Sequence, residues 1–148
     1  MLRQRLKAEA RAFCARPELD AHVGAACVRS LAGNAGRVAI IDHSSGRREI
    51  KAGLLLAVAW SLARRWRGRL PDSRIVVVLP PGIGATAANL ALVILGKVPV
   101  NLNFTIGRRA AAACIRQAGL KTIITVGRLK EKYPDFPWTA DCRDVWRC

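Results

Sequence analysis

Two histidines, five cysteines and one close pair of glycines are the residues of this chain whose types could do chemistry. A histidine acts as acid or base only within reach of the proton it moves and of a group that orients it. His22 and His43 stand apart in sequence with no such partner beside either, so each reads as a surface or loop residue. Cys14, Cys27, Cys114, Cys142 and Cys148 are an odd set with no C-x-x-C pair and no histidine at ligand spacing. A zinc site or a disulfide framework is therefore not expected, and reduced thiols in a cytosolic protein fit this usage best. Gly82-Ile83-Gly84 follows an apolar run and so could open toward a phosphate at a helix start. It lacks the lysine that completes such a loop and reads as a packing turn. On residue types and spacing, the chain offers no catalytic, cofactor-binding or metal-binding position.

The elements that would carry any site are clearer. A chain of 148 residues suits one compact domain. Leu2, Leu6, Ala10 and Phe13 recur at helical spacing among Arg3, Arg5, Lys7, Arg11 and Arg16, which predicts a short basic amphipathic helix ended by Pro17. Such a helix could lie on an anionic membrane. Glu9 interrupts the charge and the apolar stripe is thin, so packing of one face on the domain is the preferred expectation. Val38 to Asp42 and Glu49-Ile50, around Ser44-Ser45-Gly46, predict a hairpin. Ala52 to Trp66 places Leu55, Ala59, Leu62 and Trp66 near one helical face, with Arg64, Arg65 and Arg67 crowding the last turn, where the helix dipole favours cations.

Ile75 to Leu79 is apolar on both faces, the mark of a parallel strand covered by helices above and below. No charge occurs from Ile75 to Gly96, yet Pro80, Pro81, Gly82 and Gly84 divide the run, leaving a helix from Ala85 to Leu95 too short to cross a bilayer. Val98 to Leu102 resumes the sheet, Pro99 favouring an edge or strand-start position. Thr105 is placed to cap a helix over Arg109 to Ala118, and Thr122 to Val126 is the next strand. The fold expected is α/β: a partial parallel βαβαβ sheet with helices on both faces, preceded by an N-terminal helix and a small hairpin.

The net charge of +15 points first to polyanions. Arginine dominates over lysine and alanine and glycine are abundant, a bias that GC-rich coding produces without a ligand. The few aromatic residues are not interleaved with the basic ones as base stacking requires, so no specific nucleic acid partner is expected.

The phrases Val76-x-Val78-Leu79-Pro80-Pro81-Gly82, Gly96-Lys97-Val98-Pro99-Val100-Asn101-Leu102-Asn103-Phe104-Thr105 and Ile115-Arg116-Gln117-Ala118-Gly119, followed by Lys121 to Thr125, together resemble the adenylate-forming acyl-CoA synthetase superfamily. The wording from Asn101 to Thr105 is most similar to the acyl-[acyl carrier protein] synthetase domain of bifunctional enzymes that recycle lysophospholipids. The likeness runs from about Arg37 to Trp138. It implies an organisation of residues 1–36 as a helical segment, 37–138 as the incomplete N-terminal subdomain of an AMP-binding domain and 139–148 as an irregular tail.

For a complete enzyme, the resemblance implies binding of ATP and a fatty acid, formation of an acyl-adenylate with magnesium, and transfer to carrier protein or coenzyme A. The family's phosphate loop ending in Pro-Lys, its magnesium-binding Thr-Glu, its ribose-binding Asp and its C-terminal lysine have no counterpart here. The chain alone is thus expected to be an inactive fragment, with no cofactor of its own and the rest of the ligase as its partner. Where the family begins a helix with Thr-Tyr-x-Glu-Leu, this sequence has Lys51-Ala52-Gly53-Leu54-Leu55, without the aromatic and acidic groups. A cytoplasmic location, with peripheral contact at the inner membrane face, completes the expectation. The alternative is a stand-alone basic α/β module that binds nucleic acid or an acidic carrier protein.

Overall fold

The computed structural model describes residues 1–44 and 46–145, so Trp146 and Cys148 lie outside the described residues. Helix α1 (Leu2–Cys14) and a 3-10 turn at Pro17–Leu19 lead into α2 (Val23–Gly33). Strands β1 (Val38–Asp42) and β2 (Arg48–Lys51) pair antiparallel, with a register shift between Val38 and Ile40. Helix α3 (Ala52–Trp66) follows directly. Then come β3 (Arg74–Val77), α4 (Ile83–Ile94), β4 (Val98–Asn101), α5 (Arg108–Gln117), β5 (Thr122–Thr125), α6 (Gly127–Lys132) and β6 (Asp141–Asp144).

The last four strands form a parallel sheet in the order β4-β3-β5-β6. Alternation along a strand sends neighbours to opposite faces, and the sheet has two separate cores. Ile75, Val77 and Ile124 face α3 and α4, packing with Leu55, Leu62, Trp66, Ala88 and Leu92. Val76, Val78 and Ile123 face the other way, toward Ala111 of α5, Leu129 of α6 and Phe136. The α/β fold with helices on both faces is therefore observed. Leu55, Ala59, Leu62 and Trp66 of α3 are all buried, as their spacing predicts. Pro99 sits on edge strand β4, where its missing N–H leaves no ladder bond unmade. Helix α4 is 12 residues long, and no helix among the described residues is long and apolar enough to cross a membrane.

Three local expectations are revised. No residue of α1 is buried, and every residue from Met1 to Pro17 is exposed, so this helix does not lay a face on the domain. The segment 1–36 instead docks through α2, where a Cβ on Gly24 would come within 2.6 Å of Val93 Cγ1 of α4. Thr105 does not cap α5: its amide and hydroxyl both turn to Asn103 Oδ1 at 2.9 Å, and α5 starts after Gly107. Asparagine competes for nearby backbone donors in this way, which delays the helix. The segment read as an irregular tail contains β6, paired in register with β5 from Thr122↔Asp141 to Thr125↔Asp144. Asp-Cys-Arg-Asp has no strand propensity. Side chains hold it there: the Thr122 hydroxyl lies 2.6 Å from Asp72 Oδ2 and 2.7 Å from Asp141 Oδ2, and Arg143 Nη1 donates to the Arg69 carbonyl at 2.7 Å.

Candidate functional site

In an open parallel sheet, ligands bind beyond the carboxyl ends of the strands where the chain changes direction across the sheet. Here that point lies between β3 and β5, because α4 covers one face on the way to β4 and α5 covers the other on the way back. The residues beyond it are Pro80 to Ile83 after β3 and Val126-Gly127 after β5. Of these, Pro80 to Ile83 and Val126 line a crevice of about 230 Å³ together with Asp42, Arg48 and Val145.

Asp42 governs this crevice. It is the last residue of β1, and its side chain is almost wholly buried. Its Oδ1 accepts from the Ser44 amide at 2.8 Å, closing the turn, and its Oδ2 accepts from the Ile83 amide at 3.2 Å. The second bond reaches across the molecule to the first turn of α4. Hydrogen bonds from Ser44, then the one from Ile83, favour the ionised carboxylate; burial opposes them and Arg48 adds a small favourable charge. The balance lowers the Asp42 pKa to about 2. A group so far from neutrality is no proton shuttle at physiological pH.

Gly82 makes the approach possible. Its φ of +139° and ψ of −163° lie in a region essentially reserved for glycine, and a Cβ there would run into the Asp42 carboxylate. The glycine pair is thus a packing turn, as its missing lysine implies. The positive end of α4, where a phosphate could have sat, already faces a fixed negative charge. A second carboxylate repeats the device: Asp144 Oδ2 accepts from the Gly127 amide at 2.9 Å after β5. The Asp42 carboxylate lines this crevice, and its volume falls below the usual range for ligand pockets. Among the described residues no group of three His, Cys, Asp or Glu side chains could hold a metal.

A larger groove of about 590 Å³ runs between α2, β1, α3 and α4, lined by Val23, Cys27, Leu31, Ile40, Asn89 and Val93 among others. It is mostly apolar and brings no ionised group together with a nucleophile. His22 stands just ahead of α2, at its N-cap, and His43 is exposed after β1. Cys14 and Cys114 are exposed, Cys27 and Cys142 half-buried, and Cys14, Cys27 and Cys114 are free thiols.

The residues that carry the sequence resemblance have structural tasks. Asn101 and Asn89 exchange amide hydrogen bonds at 2.9 and 3.0 Å, tying β4 to α4. Asn103 holds Thr105, and Phe104 packs on Tyr133 with ring centroids 5.0 Å apart. Sequence inspection missed Asp42 because its partner Ile83 is remote. The local signal was the Asp-x-Ser spacing of an Asx turn at a strand end.

Known structures share this arrangement. A benzoate CoA ligase from Burkholderia xenovorans LB400 is 24% identical over 84% of this chain, with a TM-score of 0.67. The N-terminal subdomain of Klebsiella oxytoca NpsA is 18% identical over 81%, with a TM-score of 0.66. A fatty acid AMP ligase from Legionella pneumophila is 13% identical over 89%, with a TM-score of 0.66. The fold is shared with part of these adenylate-forming ligases. This chain spans 25%, 30% and 25% of those three proteins. No protein-family model matches the sequence, and no curated protein is significantly similar to it.

Proposed function

We propose that this chain is the N-terminal part of an ATP-dependent ligase that activates fatty acids as acyl-adenylates and passes them to a carrier protein, or to coenzyme A, and that it is inactive alone. The observation that carries the reading is the shared fold with adenylate-forming ligases, over more than four-fifths of this chain and about a quarter of theirs. The wording from Asn101 to Thr105 favours the carrier-protein synthetases of lysophospholipid recycling. A neighbouring structure is an adenylation domain artificially fused to a carrier domain, which agrees with a carrier-protein acceptor.

In this role the chain supplies framework. Asp42 locks the hairpin to α4 at the strand ends, and the two-faced sheet presents its edge to the remainder of the domain. ATP and magnesium would be held by residues outside this chain. The test is to translate the adjoining DNA in every frame, join any segment carrying a Ser/Thr/Gly-rich loop with Pro-Lys, and measure ATP–pyrophosphate exchange. We expect exchange with fatty acids from the joined protein and none from this chain. Exchange by this chain above a protein-free blank, or the lack of such a segment in all frames, overturns the proposal. The net charge of +15 keeps a stand-alone basic module as the second reading, and the second of those results would favour it.

A further inference from the structure

We infer that α1 is an interfacial helix that lies on an anionic lipid surface. The inference rests on a helix that no described residue of this chain covers. Leu2, Leu6 and Phe13 are 72%, 54% and 52% exposed, and no residue of α1 is buried. At about 100° per residue these three fall within an arc of roughly 40°, with Ala10 beside them. Arg3 and Lys7 border the arc on one side, Arg5 on the other, and Arg11 lies opposite. Glu9, at the rim one turn from Arg5, is the sole acid against five basic side chains between Met1 and Arg16.

Basic flanks around an apolar stripe are what a helix lying in a lipid interface requires: the stripe enters the acyl boundary while the cations stay among anionic headgroups. The Arg16 guanidinium, 5.1 Å from the centre of the Phe13 ring, shows how a cation stays with the stripe without burying its charge. Beyond the helix, Leu19 and Val23 are also exposed, at 51% and 62%. Charge separates the possible occupants. Nucleic acid would satisfy the arginines and leave Leu2, Leu6 and Phe13 in water. A protein partner would need carboxylates arranged around a narrow apolar strip, and lysine such as Lys7 is depleted from interface cores. An anionic bilayer satisfies both faces together.

The test is flotation of the full chain on a density gradient with vesicles of phosphatidylglycerol and phosphatidylcholine, and with phosphatidylcholine alone; aggregates sink, so bound protein is read apart from them. The wild type should float with the anionic vesicles and remain behind with the neutral ones. The double variant Leu6→Asp, Phe13→Asp changes only exposed positions and should lose flotation while its helical circular dichroism is retained. Arg3→Gln and Lys7→Gln should each weaken binding roughly five-fold, the worth of one cation near such a surface. A Phe13→Trp variant should shift its emission to the blue on binding. Equal flotation with both vesicles, undiminished flotation of the Asp variant, or binding to duplex DNA without flotation would each overturn the inference.

Discussion

Replacing Gly82 by alanine tests the contact that organises the strand ends. The new methyl group would adopt a backbone conformation of φ +139° and ψ −163° and would point into the Asp42 carboxylate. Holding a non-glycine residue in that region costs about 1–3 kcal/mol. Displacing the carboxylate also removes the acceptor of the half-buried Ile83 amide, at about 1 kcal/mol. The sum, about 2–4 kcal/mol, corresponds to a fall in Tm of roughly 6–12 °C at roughly 3 °C per kcal/mol for a chain of this length. Gly96 is the control: its φ is +70°, and nothing lies within 4 Å of where its Cβ would be. Gly96→Ala should cost only the backbone term of about 1 kcal/mol, or roughly 3 °C. The assay is thermal unfolding followed by circular dichroism and tryptophan emission at low protein concentration. Repeating Gly82→Ala in an Asp42→Ala background should shrink its excess over Gly96→Ala, because the clash is then gone. Equal shifts for Gly82→Ala and Gly96→Ala, or strict additivity with Asp42→Ala, would refute the placement of the carboxylate.

Acid should destabilise the fold through two carboxylates. Asp42 is lowered to about 2, and Asp141 is lowered chiefly by its hydrogen bond from Arg143. Both bind protons more weakly folded than unfolded, so their contribution is complete above the ordinary carboxylate range and is lost as pH falls through about 4 toward 2; melting curves across that range should show the loss, and Asp42→Asn should flatten it. If the net charge of +15 is compositional, binding to nucleic acid should be weak and nearly gone at physiological salt; sequence-selective binding that survives there would contradict this. Exposed Val38, Ile41, Leu54, Trp60 and Val98 predict an oligomeric or poorly soluble isolated chain, and light scattering that shows a monodisperse monomer with cooperative melting would count against the need for covering partners.

Period and composition alone fixed much of the architecture. Ile75 to Leu79, apolar on both faces, implied a strand with helices above and below, and both cores are there. The spacing of Leu55, Ala59, Leu62 and Trp66 marked the buried face of α3, and Pro99 pointed to an edge or strand start, of which the fold chose the edge. These features are legible because burial periodicity and proline's missing donor act within a few residues of themselves. Tertiary structure decided what depends on remote partners. Asp42 reads as one residue of a strand until the fold sets Ile83 beside it, 41 positions away. Asp-Cys-Arg-Asp becomes β6 only because Thr122 and the Arg69 carbonyl meet its side chains, and no local propensity announces that. For α1 the sequence supplied an amphipathic helix with two possible faces of use. Whether its stripe met the domain or was left bare turned on packing against elements far along the chain, and the fold left it bare.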